Sequence, residues 1–300
     1  MFNRKKYLIT IITLGVACAA LIITNAIWVY MDWLMIAILA LAGSLILRGR
    51  ISAPLQLFGT KFTMLVDYDL EVAEAVRIAK EGADNAPTAQ IKAMYTMYYG
   101  MGQYYAGDYD GAIRTFNQVE LKRMNSLFHV LIFAFICYSA FELGDETTFA
   151  STLQRLRNVA GTVSPKYQGY AQSYLEILEA IDQLSADPEH YREVMEKHFN
   201  REDGYISTRL IRAYRLALYY RQIQDYAEMD KQLAFVIANG KEHHTALQAK
   251  KLFKNSVNVE DYVIKPESES GTPEEETQQD QIENAEEHSD DTDDNHSDGE

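Results

Sequence analysis

Two long apolar runs open the chain, residues 7–24 and 26–47, and a single ionisable acid or base, Asp32, falls within them. As helices rising ~1.5 Å per residue they reach about 27 and 33 Å, enough for a bilayer core of ~30 Å. Arg4, Lys5 and Lys6 precede the first run and Arg48 and Arg50 follow the second, while the short connection carries no basic residue. The arrangement predicts a two-helix transmembrane hairpin over residues 1–50, a two-pass protein of the cell membrane with both ends in the cytoplasm. Trp28, Tyr30 and Trp33 cluster near the connection, where amphipathic rings favour the outer interface, and Asp32 lies close enough to that interface to stay hydrated. Gly15 and Ala19 on one run and Ala37, Ala40 and Ser44 on the other supply small-residue faces on which the helices can approach. A cleaved leader over residues 1–20 fits less well, because a second apolar run with basic residues behind it follows.

Beyond Pro54 the rhythm changes. Apolar residues recur at three and four, Pro is scarce and Gly falls at segment ends, so after a juxtamembrane linker at 51–69 the chain reads as an all-α domain over 70–255. The phrases AGDYDGAI, LGDETTFA, SADPEHYREV and IQDYAEMD place Asp108, Asp145, Asp187 and Asp225 at intervals of 37, 42 and 38. Each Asp stands where a helical pattern begins, so its carboxylate can accept from unpaired backbone N–H groups at the positive end of the helix dipole. A longer periodic segment precedes each one, and the unit is therefore helix, tight turn, helix. An extra helix at 70–81 leads into the array. Another at 242–254 closes it, with Lys250, Lys251 and Lys254 on a wettable side, as the end of a stacked array requires.

In the first unit Gly100, Tyr104, Gly107-Asp108-Tyr109, Ala112-Ile113 and Phe116 follow a small residue, aromatic, turn, Ala, large apolar order that resembles the tetratricopeptide repeat. Gly100 and Ala112, with Phe116, are the repeat-packing positions, lacking bulk where the two helices of a pair cross. The second unit keeps Gly144-Asp145 but carries Phe149 at the Ala place, the fourth keeps Ala217, Tyr220, Asp225-Tyr226 and Leu233 with Met229 there, and the third has Glu179 where a small residue belongs. The likeness covers about residues 87–239 and implies a TPR-like α-solenoid whose first helices line a concave groove. Carried onto this chain, the lining is Met94, Met97, Met101 and Tyr104 in the first unit, Tyr138 and Phe141 in the second, and Tyr214 and Arg221 in the fourth.

The helix 93–105 is apolar on nearly every side. Met94, Met97, Met101 and Tyr104 make one stripe, Tyr95, Tyr98, Gly102 and Tyr105 a second, and only Thr96 and Gln103 form a polar edge. Flexible thioethers and tyrosines suit an apolar partner segment if the first stripe is open, and core packing under the preceding helix if it is covered. Arg209, Arg212 and Arg215 recur every third residue on one helix, either as a carboxylate or phosphate site or as salt bridges to neighbouring helices.

Charge and motifs narrow the function classes. Of 43 acidic residues 15 lie in 266–300, which has no Lys or Arg, so the rest of the chain balances 28 acids against 28 bases. The body is not a basic nucleic-acid binder, and within the linker and tail at 256–300 the stretch 266–300, with Ile282 its one aliphatic residue larger than Ala, is expected to be disordered and solubilising. Cys18 and Cys137 lie far apart in apolar runs and read as packing residues. The chain contains no phosphate loop, no His-Glu-x-x-His and no Gly-x-Ser-x-Gly; Gly100-Met-Gly102 sits inside a helix, and Asp108-Tyr-Asp110-Gly111 lacks the terminal Glu of a calcium loop, Val119 standing in its place. His243 and His244 read as solvated residues at a helix start. The expectation is a non-enzymatic adaptor without cofactor or metal, holding a protein partner of unknown identity at the lipid bilayer. A structural subunit of a membrane complex and a lipid- or small-ligand-handling protein are the alternatives.

Overall fold

A computed structural model describes residues 4–28, 33–200 and 205–264; among these the chain is all helical, with no strand. The expected disordered tail, and the connection with Tyr30 and Asp32, lie outside the described residues. Two long helices come first, α1 (Arg4–Trp28) and α2 (Trp33–Thr63), the second running through Pro54 into one π-helical turn, Met64–Tyr68. They lie side by side, but the small-residue contact differs from expectation. Leu14 packs on Gly43, its Cδ2 3.0 Å from where a Cβ would stand, whereas nothing lies within 4 Å of that position at Gly15. The described side chains of α1 give one apolar run, Leu8–Ala20, shorter than a membrane span. Among the described residues the helix long and apolar enough to cross a bilayer is α6 (Ser126–Leu143), and half of it is buried inside the protein.

The body follows as α3 (Val72–Asp84), α4 (Ala89–Tyr105), α5 (Tyr109–Asn117), α6, α7 (Glu146–Ala160), α8 (Gln168–Asp182), α9 (Pro188–Phe199), α10 (Ile206–Gln222), α11 (Tyr226–Asn239) and α12 (His244–Leu252). Each helix packs mainly on its sequence neighbours, a solenoid-like arrangement. All four expected aspartates cap their helices: Asp108 accepts from the Gly111 amide at 2.9 Å, Asp145 from Thr148 at 3.0 Å, Asp187 from His190 at 3.1 Å and Asp225 from Glu228 at 3.1 Å. Three of the turns are alike in detail. The residue before Asp is left-handed, Gly107 at φ +79°, Gly144 at +71° and Gln224 at +64°, and the Asp amide reaches back five residues to Gln103, Ala140 or Tyr220. The Asp187 turn departs from this, its amide bonding Gln183 four residues back. That is the unit in which Glu179 interrupts the small-residue pattern, and Glu179 turns outward to pair with Arg157 at 2.8 Å.

Crossings explain the small residues. A Cβ on Gly100 would lie 2.8 Å from Phe116 Cε1, and Ala112 and Phe116 are buried beside it. In the next pair Cys137, buried, takes the small position opposite the bulky Phe149, its Sγ 3.8 Å from the Phe149 carbonyl. Gly100→Ala is therefore expected to destabilise the body by about 1–3 kcal/mol through overpacking. Phe116→Leu in the same chain should recover part of it, read as the shift in urea midpoint.

Helix α4 is enclosed. A Cβ on Gly82 of α3 would overlap the Tyr95 ring, at 2.3 Å from Cδ1, and one on Gly102 would touch Val76 at 3.1 Å. From α2, Phe58 meets Tyr95 and Tyr98 with ring centroids 4.6 and 5.2 Å apart, and Phe62 meets Tyr98 at 5.0 Å. The end of α2 also joins the far end of the array. Asp67 accepts from Ser207 at 2.7 Å, Tyr68 stacks on Tyr205 at 4.4 Å, and the Asp69 carbonyl accepts from Lys241 Nζ at 2.6 Å. Leu70 packs in one cluster with Leu210, Leu218 and Ala246.

Candidate functional site

The proposed groove lining does not form an open trough. Met97, Tyr104, Tyr138 and Tyr214 are buried, Met94, Met101 and Phe141 are half-buried, and only Arg221 is exposed. The physical reason is that the stripe is covered by the chain itself. Tyr104 meets Phe135 of α6 edge-on at 5.2 Å and Tyr138 at 6.1 Å, and its other face carries His244 of α12 at 4.3 Å. Leu247 of α12 lies 3.2 Å from the Cβ position of Gly107, in the turn after α4.

His243 and His244 are correspondingly not solvated: they are 0 % and 1 % exposed. His243 caps α12, its side chain accepting from the Thr245 amide, with Thr245 Oγ1 2.8 Å from Nδ1. Gln248 donates to the Tyr109 hydroxyl at 3.0 Å, which leaves the phenol proton for His244 Nδ1 at 3.3 Å. Burial lowers the His243 pKa to about 3 and takes His244 well below the ordinary imidazole range, with His243 and Arg215 adding repulsion to the latter. The exposed side of α12 carries Lys250 and Lys251 as the sequence places them, while Lys254, expected on the same helix, is exposed just beyond its end. The histidine face was not legible because its partners, Tyr104, Tyr105 and Tyr109, lie well over a hundred residues upstream, although alanines at 246 and 249 signal close packing.

Three arginines on one helix take three different roles. Arg215 is 2 % exposed, its guanidinium within 5.2 to 5.9 Å of the Phe141, Tyr138 and Tyr214 ring centres. Its Nη1 stands 3.7 Å from Glu142 Oε1, and Tyr214 donates to the other Glu142 oxygen at 2.9 Å. Burial raises the Glu142 pKa, while Arg215 and the Tyr214 hydroxyl pull it back. Tyr191 donates to the Arg215 carbonyl at 3.2 Å, tying α9 to the same centre. Arg212 pairs with Glu196 of α9 at 2.7 Å, and Arg209 lies over the Phe235 ring at 5.6 Å.

Cys137 is buried and its thiol pKa is pushed up to about 12, the opposite of an activated nucleophile. Among the described residues no group of three His, Cys, Asp or Glu side chains is placed to hold a metal. The opening of most chemical interest lies elsewhere, a half-open cleft of about 460 Å³ between the end of α9, the first half of α10 and α11. Phe199, Asn200, Arg209, Arg212, Gln232 and Phe235 line it. No family model, curated protein or solved structure matches this chain. Any functional reading therefore stands on its own residues.

Proposed function

We propose that the chain is a non-enzymatic, membrane-anchored helical scaffold, with α1 and the first half of α2 as a two-pass anchor and the body in the cytoplasm. One observation carries this reading: α2 is a single helix of two characters. Its first half exposes Ile38, Leu41, Leu45 and Ile46, and its second half buries Phe58 and Phe62 in the body. Beside it α1 exposes Leu8, Ile9, Ile12, Val16, Ile22 and Ile23. So much contiguous apolar surface is unsuited to water and suited to hydrocarbon, and the basic residues at the outer ends of the two apolar runs favour the cytoplasmic orientation of both. The left-handed Gly-Asp turns and the small-against-large crossings support a likeness to tetratricopeptide repeats, in a variant whose concave side is occupied by its own α12. A partner would then meet the rim, where Arg221 is exposed, rather than the Met97 and Tyr104 stripe.

The test is extraction of membranes with alkaline carbonate. The full chain should stay with the membrane, and the double variant Leu41→Arg, Leu45→Arg should be released with unchanged helical content by circular dichroism. Release of the unmodified chain would overturn the anchor. A second reading, a permanent subunit of a membrane complex, is favoured by the open face at Gly15, where another helix could approach. A stable large assembly on gel filtration in mild detergent would select it.

A further inference from the structure

We propose that the cleft between α9, α10 and α11 is a binding site for a phosphate group carried on an apolar or aromatic body. Arg209 and Arg212 stand three residues apart on α10, so their side chains leave the helix from neighbouring points, about 5–6 Å between Cβ atoms. Neither is needed by the fold in the way Arg215 is. The packing face of α10 is made by Leu210, Ala213, Tyr214 and Ala217, all buried, while Arg209 is exposed and Arg212 half-buried. Among the described residues no carboxylate pairs with Arg209, whose guanidinium rests over Phe235. Arg212 spends Nη2 on Glu196, yet its Nε is shielded from solvent and has no hydrogen-bond partner. A buried, charged N–H donor left unpaired is costly, and a turn of the half-buried Arg212 side chain toward an acceptor in the cleft would remove that cost.

The donor set indicates which acceptor. Among the described residues two guanidiniums against one carboxylate leave the cleft lining net positive, and Asn200 and Gln232 bring neutral amides to it. Donor-bearing residues at the end of α9, on α10 and on α11 suit the tetrahedral oxygens of a phosphate better than the planar pair of a carboxylate, which a single arginine fork can satisfy. Phe199 and Phe235 add apolar walls, and about 460 Å³ is room for more than a bare ion. Both a soluble phosphate ester and a lipid headgroup present this chemistry.

The experiment titrates phenyl phosphate into the full-length chain in maltoside micelles, followed by phosphorus NMR. Saturable one-site binding is expected, tighter than for inorganic phosphate. Arg209→Gln and Arg212→Gln should each weaken it about tenfold or more, as expected for loss of a charged hydrogen bond. Arg114→Gln, on the exposed surface beside Asp110, should leave it unchanged. Arg209 is exposed, so its variant keeps the fold, and circular dichroism checks this for both. Competition by phosphatidic acid in the micelles would identify a lipid headgroup as the source, and indifference to it a soluble ester; both support the site. Absence of saturable binding, benzoate binding as well as phenyl phosphate, or undiminished affinity in Arg209→Gln would overturn it.

Discussion

Replacing Arg215 with methionine is expected to cost the helical body about 3–5 kcal/mol, the loss typical when one member of a buried ion pair is removed. The methionine fills space between Tyr138, Phe141 and Tyr214, so the loss comes from the charge left behind rather than from a cavity. Glu142, its side chain 4 % exposed, would keep only the Tyr214 hydroxyl as a partner. Its raised pKa would rise further, and the variant would become sensitive to pH in a range where the parent is not. Adding Glu142→Gln removes the stranded charge and keeps an acceptor for Tyr214, so the double variant should recover most of the stability. Urea midpoints of the four chains in mild detergent give the coupling directly. A loss within ~1 kcal/mol for Arg215→Met would mean that the guanidinium is better hydrated than its burial implies.

Acidification should loosen α12. Both imidazoles have folded-state pKa values below the unfolded value, so they contribute stability that is fully present above about pH 6.5 and lost as pH falls toward the folded value. For His243, with its pKa lowered to about 3, linkage at 1.36 kcal/mol per unit gives a loss of about 2 kcal/mol by pH 5 and roughly 4 by pH 3. His244 acts in the same direction. Asp67 and Glu142 work against it at the acid end, since burial raises both their pKa values and the native state then takes up protons more readily. Comparing the parent with His243→Asn, His244→Phe between pH 7.5 and 5 isolates the histidines: the double variant should lose most of the pH slope. An equal slope in both would remove the buried pair as its cause.

Much of the body was legible in the chain because its determinants are local. A capping Asp and a left-handed Gly act within one turn, and the crossing of α4 with α5 depends on Gly100 and Phe116, only one helix apart. Cys137 opposite Phe149 is local in the same sense. What the chain hid is non-local. Whether Met97 and Tyr104 face a partner or a core depends on α6 after them and, for Tyr104, on α12 far after it, and periodicity reports only that a face is apolar, not what covers it. The histidines failed for the converse reason: a polar residue at a helix start usually faces water, and here both go inside with Tyr109 and Thr245 meeting only their Nδ1 atoms, the buried Nε2 atoms having no partner among the described residues. The three arginines were equivalent by spacing, and only the tertiary structure separates the buried pair, the surface bridge and the member without a carboxylate.

Lys241 on Asp69, Ser207 on Asp67 and His244 on Tyr104 join α10, the turn before α12 and α12 itself to the end of α2 and to α4. An open stack of helix pairs can fray from either tip, one pair at a time. Among the described residues no tip of the body is loose, so the body should melt in one concerted step and stay folded under carboxypeptidase digestion until residues near 243 are removed. A cut there would work like drawing the pin from a hinge, leaving every other helix chemically intact yet free to come apart.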